Sequence, residues 1–314
     1  MDHRGRRIRQ ARVPETRRTD LPTGPTRTRP PTPRVGQSPK LGATAPTIVA
    51  LEALNYSRWM EFVDVTREES VALVTLNRPP VNAMTEDFAR ELKKAFSDCT
   101  DPAIRAVVVT GQPHFAAGAD IKGFQATFDA GVEERSAWTL QEAIGILESL
   151  EKPTIAAVHG YALGGGLELA MGADFRFLAD DARVGQPEIL LGLIPGAGGT
   201  QRLARIVGYQ RAKEMVLTGR QVDSEEALQI GLADQVLPSA ELLNATLEAA
   251  REWATKATRA IAAAKKALNA GFGLPVSEGL IIERDAFNES FGSEDAREGV
   301  AAFIAKREAD FKGR

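Results

Sequence analysis

Two hydrophobic periods take turns along the greater part of this chain. Val71-Ala72-Leu73-Val74-Thr75-Leu76 is a short run of strand-forming residues stopped by Asn77-Arg78-Pro79-Pro80, which predicts a strand and its terminator. From Glu86 to Phe96 the apolar positions Phe88, Leu92, Ala95 and Phe96 fall at helical spacing behind Thr85, a residue suited to cap a helix start. Ile104 to Thr110 returns to the strand pattern, and Ser136 to Leu150 to the helical one, with Trp138, Ile144, Leu147 and Leu150 as its expected buried side. Thr154-Ile155-Ala156-Ala157-Val158 and Asp174 to Leu178 predict two further strands, and Gln201–Val207 and Arg211–Leu217 two short helices. Asp223 with Glu226 has the form of a capping box ahead of Ala227 and Leu228. From Ala240 onward the pattern is helical apart from breaks near Gly271-Phe272-Gly273 and Phe291-Gly292. Strands alternating with helices, then helices alone, read as α/β with a helical C-terminal part.

The first 45 or so residues do not take part in this pattern. They are rich in Arg, Pro and Thr with almost no large apolar side chains, so they cannot bury enough surface to offset ordering entropy, and disorder is expected. Three roles compete for them: a transit peptide, opposed by the prolines; a basic arm for nucleic acid; and a dispensable extension ahead of Met60, which is preferred. The resulting division is an extension over 1–58, a core over 59–255 and a helical region over 256–314.

Charge sharpens that division. The whole chain of 314 residues carries −3, but residues 1–40 alone carry +8, which leaves −11 for the remainder. An acidic body argues against nucleic acid as the main partner. Hydrophobic content of 43% and charged content of 26% are those of a soluble globular protein, and no apolar run approaches the ~20 residues of a membrane span. Cys99 is the one cysteine, so no internal disulfide forms and a reducing compartment fits. A bacterial cytoplasm is expected, with the mitochondrial matrix as the alternative. His3, His114 and His159 lie too far apart for metal-ligand spacing, and no metal is expected.

The chemistry concentrates between Pro153 and Leu203. The strand at Thr154–Val158 leads through His159-Gly160-Tyr161-Ala162-Leu163 to Gly164-Gly165-Gly166 and then Leu167-Glu168-Leu169-Ala170. Twenty positions later comes Glu188, behind Pro187, and then the cluster Pro195-Gly196-Ala197-Gly198-Gly199-Thr200. Either acid alone is ordinary: an acidic residue in a first helical turn complements the helix dipole, and Pro followed by an acid starts many helices. Together they suggest acid–base work at a polarised carbonyl. A helix beginning near Gly165 offers a free N–H to a developing oxyanion with Glu168 beside it. Ala119, in Ala117-Gly118-Ala119-Asp120, is the candidate second donor, with a tight turn before a short helix as its plain reading. Phosphate loops are excluded, because Gln201 stands where a dinucleotide fingerprint needs its third glycine, and neither a P-loop nor a Gly-x-Ser-x-Gly elbow occurs. Cys99, near a helix end with no base nearby in sequence, is expected to be a half-buried structural residue.

At these residues the chain resembles the crotonase (enoyl-CoA hydratase/isomerase) superfamily, from about Met60 to Gly313. Phe115 to Lys122 is similar to the family's first oxyanion segment, Gly160 to Ala170 to the second, Gly185 to Leu203 to the segment with the other catalytic Glu, and Glu298 to Arg307 to the closing helix. The resemblance implies a spiral of ββα turns with a C-terminal helical trimerisation region, assembling as homotrimers or as hexamers built of two trimers. It implies reversible hydration of trans-2-enoyl-CoA to 3-hydroxyacyl-CoA, with Ala119 and Gly165 as oxyanion donors, Glu168 as the base toward water and Glu188 as the proton source for Cα. Ala119, Asp120, Ile121 and Lys122 would follow the CoA arm, and Phe287 and Lys306 would meet the CoA nucleotide across a subunit boundary. Coenzyme A is then part of the substrate and no separate cofactor is implied. An enoyl-CoA isomerase is the nearest alternative, disfavoured by an acid at position 168. An RNA-binding member of the superfamily is the other. Residues 123–136 follow no strict family pattern, so the acyl group is left open.

Overall fold

The apolar runs stack side by side into one sheet. In the computed structural model, which describes residues 52–53, 60–131 and 136–314, seven strands form that sheet. The extension expected over 1–58 lies, but for Glu52 and Ala53, outside the described residues. β1 (Glu52–Ala53), β2 (Val63–Glu68) and β3 (Val71–Leu76) pair antiparallel. β4 (Ala106–Gly111) and β5 (Thr154–Val158) then add parallel to β3. Parallel neighbours require crossovers. These are supplied by α1 (Glu86–Asp98) and, between β4 and β5, by α2 (Ile121–Ala130) and α3 (Ser136–Ser149).

A second, three-stranded sheet grows at the C-terminal ends of the first. Its strands are β6 (Tyr161–Leu163), β8 (Arg183–Gly185) and β9 (Gln221–Asp223), in the order β6-β8-β9. Between β6 and β8 the chain dives through α4 (Gly165–Gly172) and returns to the large sheet as β7 (Phe175–Ala179). A 3₁₀ turn (Pro187–Leu191), α5 (Gly199–Val207), α6 (Tyr209–Thr218) and α7 (Ser224–Gln229) follow, and β10 (Gln235–Leu237) closes the sheet parallel to β7. Then come α8 (Leu242–Ala254), α9 (Thr258–Gly271), α10 (Val276–Phe291) and α11 (Glu294–Ala305). No described helix is long and apolar enough to cross a membrane.

β4 and β5 are buried at every position, as strands covered on both faces must be. One face shares its core with α1 and α3 and the other packs against α8. Phe88, Leu92, Ala95 and Phe96 of α1 are buried as their spacing predicts, and Thr85 caps that helix by accepting from the Phe88 N–H at 3.2 Å. Asp223 does the same for Glu226.

Two expectations change. Trp138 is 52% exposed, while Ile144, Leu147 and Leu150 are buried. It stands nine residues before Leu147, which at 3.6 residues per turn puts it about 180° round α3 from that buried side chain. Cys99 is fully buried, because the end of α1 is sealed by Lys152, whose ammonium donates to the carbonyls of Cys99, Asp101 and Ile104 at 2.7–2.8 Å. Burial pushes the Cys99 thiol up to about 12 against the pull of Lys152, so it remains a thiol.

Candidate active site

The segment after β4 is held from below by one buried amide. Asn82 Nδ2 donates to the carbonyls of His114, Phe115 and Leu76. Ala116 then bridges to Ala162 of β6, donating to Tyr161 O at 2.8 Å and accepting from Leu163 N at 3.0 Å. Three residues on, Met84 spends both of its backbone groups on the residues flanking Ala119. Its N–H donates to Gly118 O at 2.8 Å, and its carbonyl accepts from Asp120 N at 3.0 Å. In a parallel bridge of this kind the N–H of the middle residue faces away from its partner, so the Ala119 amide turns outward.

What it turns toward is the start of α4. A Cβ built on Gly118 would lie 2.9 Å from Leu163 O and 3.7 Å from Gly165 N. The first N–H groups of a helix have no intrahelical acceptor. The amides of Ala119 and Gly165 therefore come from neighbouring backbone, both without a strand or helix partner on that side.

α4 is apolar nearly all round and buried from Gly166 to Gly172, the expected fate of such a helix. It carries Glu168 down with it to 2% exposure. One carboxylate oxygen, Oε1, accepts from Ala197 N at 2.8 Å and Gly199 N at 2.6 Å. Burial raises the pKa of Glu168, and the two amides and the nearby Arg202 guanidinium pull it back. The second oxygen, Oε2, lies within 3.9 Å of where a Gly165 Cβ would be.

Glu188 approaches from the other side on the 3₁₀ turn. Its Oε1 would be 2.9 Å from a Cβ at Gly164, which is one reason that position, with φ +53°, is glycine. Burial lifts the Glu188 carboxyl to about 7, and the charge of Glu168 adds to the lift. Fully buried Gln186 works in the opposite sense: with its NH₂ turned to the carboxylate it donates to both oxygens at 2.8 and 3.1 Å.

These groups open into one cavity of about 320 Å³, in the size range of small-ligand sites. Ala119, Gly165, Glu168 and Glu188 all line it, as does Ile121. Its remaining wall is apolar, with Phe124 and Phe128 from α2, Leu140 from α3, Leu191 at the end of the 3₁₀ turn and Ile194 after it. The stretch without a sequence pattern, from Gly123, thus begins as a helix that covers this wall.

The other expected residues are placed differently. Asp120 is paired with Arg78 at 2.9 Å and does not line the cavity; Lys122 is exposed and outside it. Phe287 and Lys306 lie on α10 and at the end of α11, also outside it. Sequence reasoning missed Ala197 and Gly199 as the seat of Glu168, and Gln186 as the partner of Glu188. The glycine cluster at 196–199 was the available signal. Among the described residues no group of His, Cys, Asp and Glu could hold a metal ion.

An acid near neutrality, a second acid anchored by one oxygen, and two outward amides can polarise a carbonyl and move protons on either side of it. The comparisons with known proteins agree in kind. The sequence profile described as "Enoyl-CoA hydratase/isomerase" matches residues 66–314. A probable enoyl-CoA hydratase of Mycobacterium tuberculosis is 44% identical over 259 residues, 81% of this chain and 99% of the relative. A crotonyl-CoA hydratase of Syntrophomonas wolfei is 40% identical, over 80% and 98%. The crystal structure of an enoyl-CoA hydratase from Bacillus anthracis superposes with a TM-score of 0.75 at 34% identity, covering 81% of this chain and all of that one.

Proposed function

The chain belongs to the enoyl-CoA hydratase/isomerase family, and on that premise we propose that it adds water reversibly across the double bond of trans-2-enoyl-CoA thioesters, giving 3-hydroxyacyl-CoA. One observation carries this reading: two carboxylates and two outward-facing amides from separate turns of the chain share a single apolar cavity.

The thioester carbonyl oxygen accepts from the N–H groups of Ala119 and Gly165. As water attacks Cβ, electron density moves to that oxygen, where each donor is typically worth ~3 kcal/mol. Glu168 takes the proton of the attacking water on the oxygen left free of the Ala197 and Gly199 amides. Glu188, whose pKa of about 7 leaves much of it protonated near neutrality, delivers a proton to Cα. Every step is a proton transfer or an addition, with no net redox change, so no cofactor is proposed beyond the coenzyme A that the substrate carries.

Self-association and a soluble cytoplasmic setting complete the proposal. Leu268, Phe272, Leu280, Phe287, Phe303 and Ile304 of the C-terminal helices are exposed in the single chain, an apolar surface that a trimer or a pair of trimers would cover. In such an assembly Phe287 and Lys306 would serve a neighbour's CoA arm. The acidic body of the chain argues against nucleic acid as a partner.

An absorbance assay of crotonyl-CoA hydration tests the reading. Glu168→Gln and Glu188→Gln should each lower kcat by roughly 10²–10⁴-fold. Wild-type protein without hydration, or either variant at full rate, would refute it.

A further inference from the structure

The glycine cluster at 196–199 lacks a phosphate-loop fingerprint, yet its backbone is shaped around a charged side chain. Gly198 has φ +109°, and a Cβ there would come within 2.1 Å of Arg202 Nη1. Arg202 follows on α5 and folds back over the turn. Its Nη1 donates to Ala197 O at 3.1 Å, and its Nη2 pairs with Glu148 of α3 at 2.7 Å. The guanidinium side chain is only 16% exposed, against 43% for Glu148. Its third donor, Nε, is buried without a partner, which leaves it a largely desolvated cation fixed at two points.

The turn that Arg202 grips is the one that holds Glu168. Ala197 gives its carbonyl to Arg202 and its N–H to Glu168 Oε1, and Gly199 gives a second N–H to the same oxygen. We propose that Arg202 is a positioning residue for Glu168: anchored on Glu148, it fixes the Ala197–Gly199 turn so that both amides hold one carboxylate oxygen and the other faces the cavity. The inference rests on the hydratase reading for its kinetic consequence, and on geometry alone for the link between the two side chains. A mere exposed ion pair would contribute little and leave the acid untouched.

The charged groups around Glu168 are few. Glu188 faces it from the 3₁₀ turn and has its own proton affinity raised by the Glu168 charge, Arg202 faces it from α5 and lowers the proton affinity of Glu168, and Glu148 reaches it only through Arg202. Loss of the guanidinium therefore moves the ionisation of Glu168 to higher pH.

The test compares wild type with Arg202→Met, Arg202→Lys and Glu148→Gln. Crotonyl-CoA hydration is followed from about pH 5 to 9, and the Glu168 carboxyl is titrated by ¹³C NMR with glutamate labelling, assigned against Glu168→Gln. Arg202→Met should lower kcat by ~10²-fold with KM within about threefold, and shift the Glu168 titration upward. Arg202→Lys should restore the titration while remaining about tenfold slow, because an ammonium keeps the charge without the two-point fork. Wild-type kcat and an unmoved titration in Arg202→Met would overturn the proposal. Should that variant fail to fold, unchanged kcat and titration in both Arg202→Lys and Glu148→Gln would overturn it equally. If wild type does not hydrate crotonyl-CoA, the hydratase reading fails while the NMR titration still decides the Arg202–Glu168 link.

Discussion

Replacing Gly166 with alanine adds a single methyl group where two backbone segments meet. The new Cβ would stand 2.1 Å from Ala116 O, 2.8 Å from Ala116 C and 2.9 Å from its Cβ. Ordinary contact begins at 3.4 Å, so the segments must part by about 1.3 Å, and neither is a side chain that can rotate away. Ala116 is bound to Tyr161 and Leu163 through backbone hydrogen bonds, which makes the displacement fall on the relation between α4 and the 116–119 segment. That relation sets the spacing of the Ala119 and Gly165 amides. A misplacement near 1 Å costs ~10²-fold, and loss of one oxyanion donor ~10²–10³-fold. Gly166→Ala should therefore lower kcat/KM for crotonyl-CoA by ~10²–10³-fold, with overpacking costing about 1–3 kcal/mol of stability. Gly145→Ala is the control: it lies within α3, its Cβ would meet nothing within 4 Å, and it should gain ~0.5–1 kcal/mol with unchanged turnover. Steady-state kinetics beside circular dichroism decide the matter. A folded Gly166→Ala enzyme within about threefold of wild-type kcat/KM would refute the oxyanion geometry.

The carboxyl of Glu188 makes folding pH-dependent: its folded pKa of about 7 exceeds the ~4.3 of an unfolded chain. Its contribution is therefore full below ~4.3 and is lost as pH rises through about 7. Glu188→Gln should raise Tm over wild type more at pH 8 than at pH 4, and an equal difference at both would contradict the burial argument. Lys152→Met should destabilise by ~2–4 kcal/mol in urea unfolding, because three carbonyls at the end of α1 lose their donor. Cys99, fully buried with a pKa of about 12, holds only ~10⁻⁴ thiolate at pH 8. Iodoacetamide should label it at the rate of unfolding, and fast labelling of the native protein would show that the end of α1 is open.

The parts of the fold legible in the sequence are those written within a few consecutive residues. β3 and β5 begin and end where the strand runs do, Thr85 and Asp223 cap the helices that follow them, and the buried face of α1 is the one its spacing marks. β4 and β7 start one or two residues later than their apolar runs suggest, since pairing register rather than composition ends a strand. β6, β8 and β9 are three residues each, too short to show a period. The two acids and the two glycine clusters were legible as chemistry, though not which served which.

That assignment belonged to the tertiary structure. Glu168 is seated by amides 29 and 31 residues away, Asp120 turns to Arg78 at a separation of 42, and the amide of Gly165 meets the Ala119 segment only because β6 bridges to Ala116. Trp138 lies in the solvent because it stands about two and a half turns before Leu147, on the opposite side of α3; being apolar does not place a residue on the buried face. Side-chain pattern along the chain records what each segment prefers locally. Which segments then share a cavity depends on the path of the spiral, and that path is set by pairing and packing between residues the sequence keeps far apart.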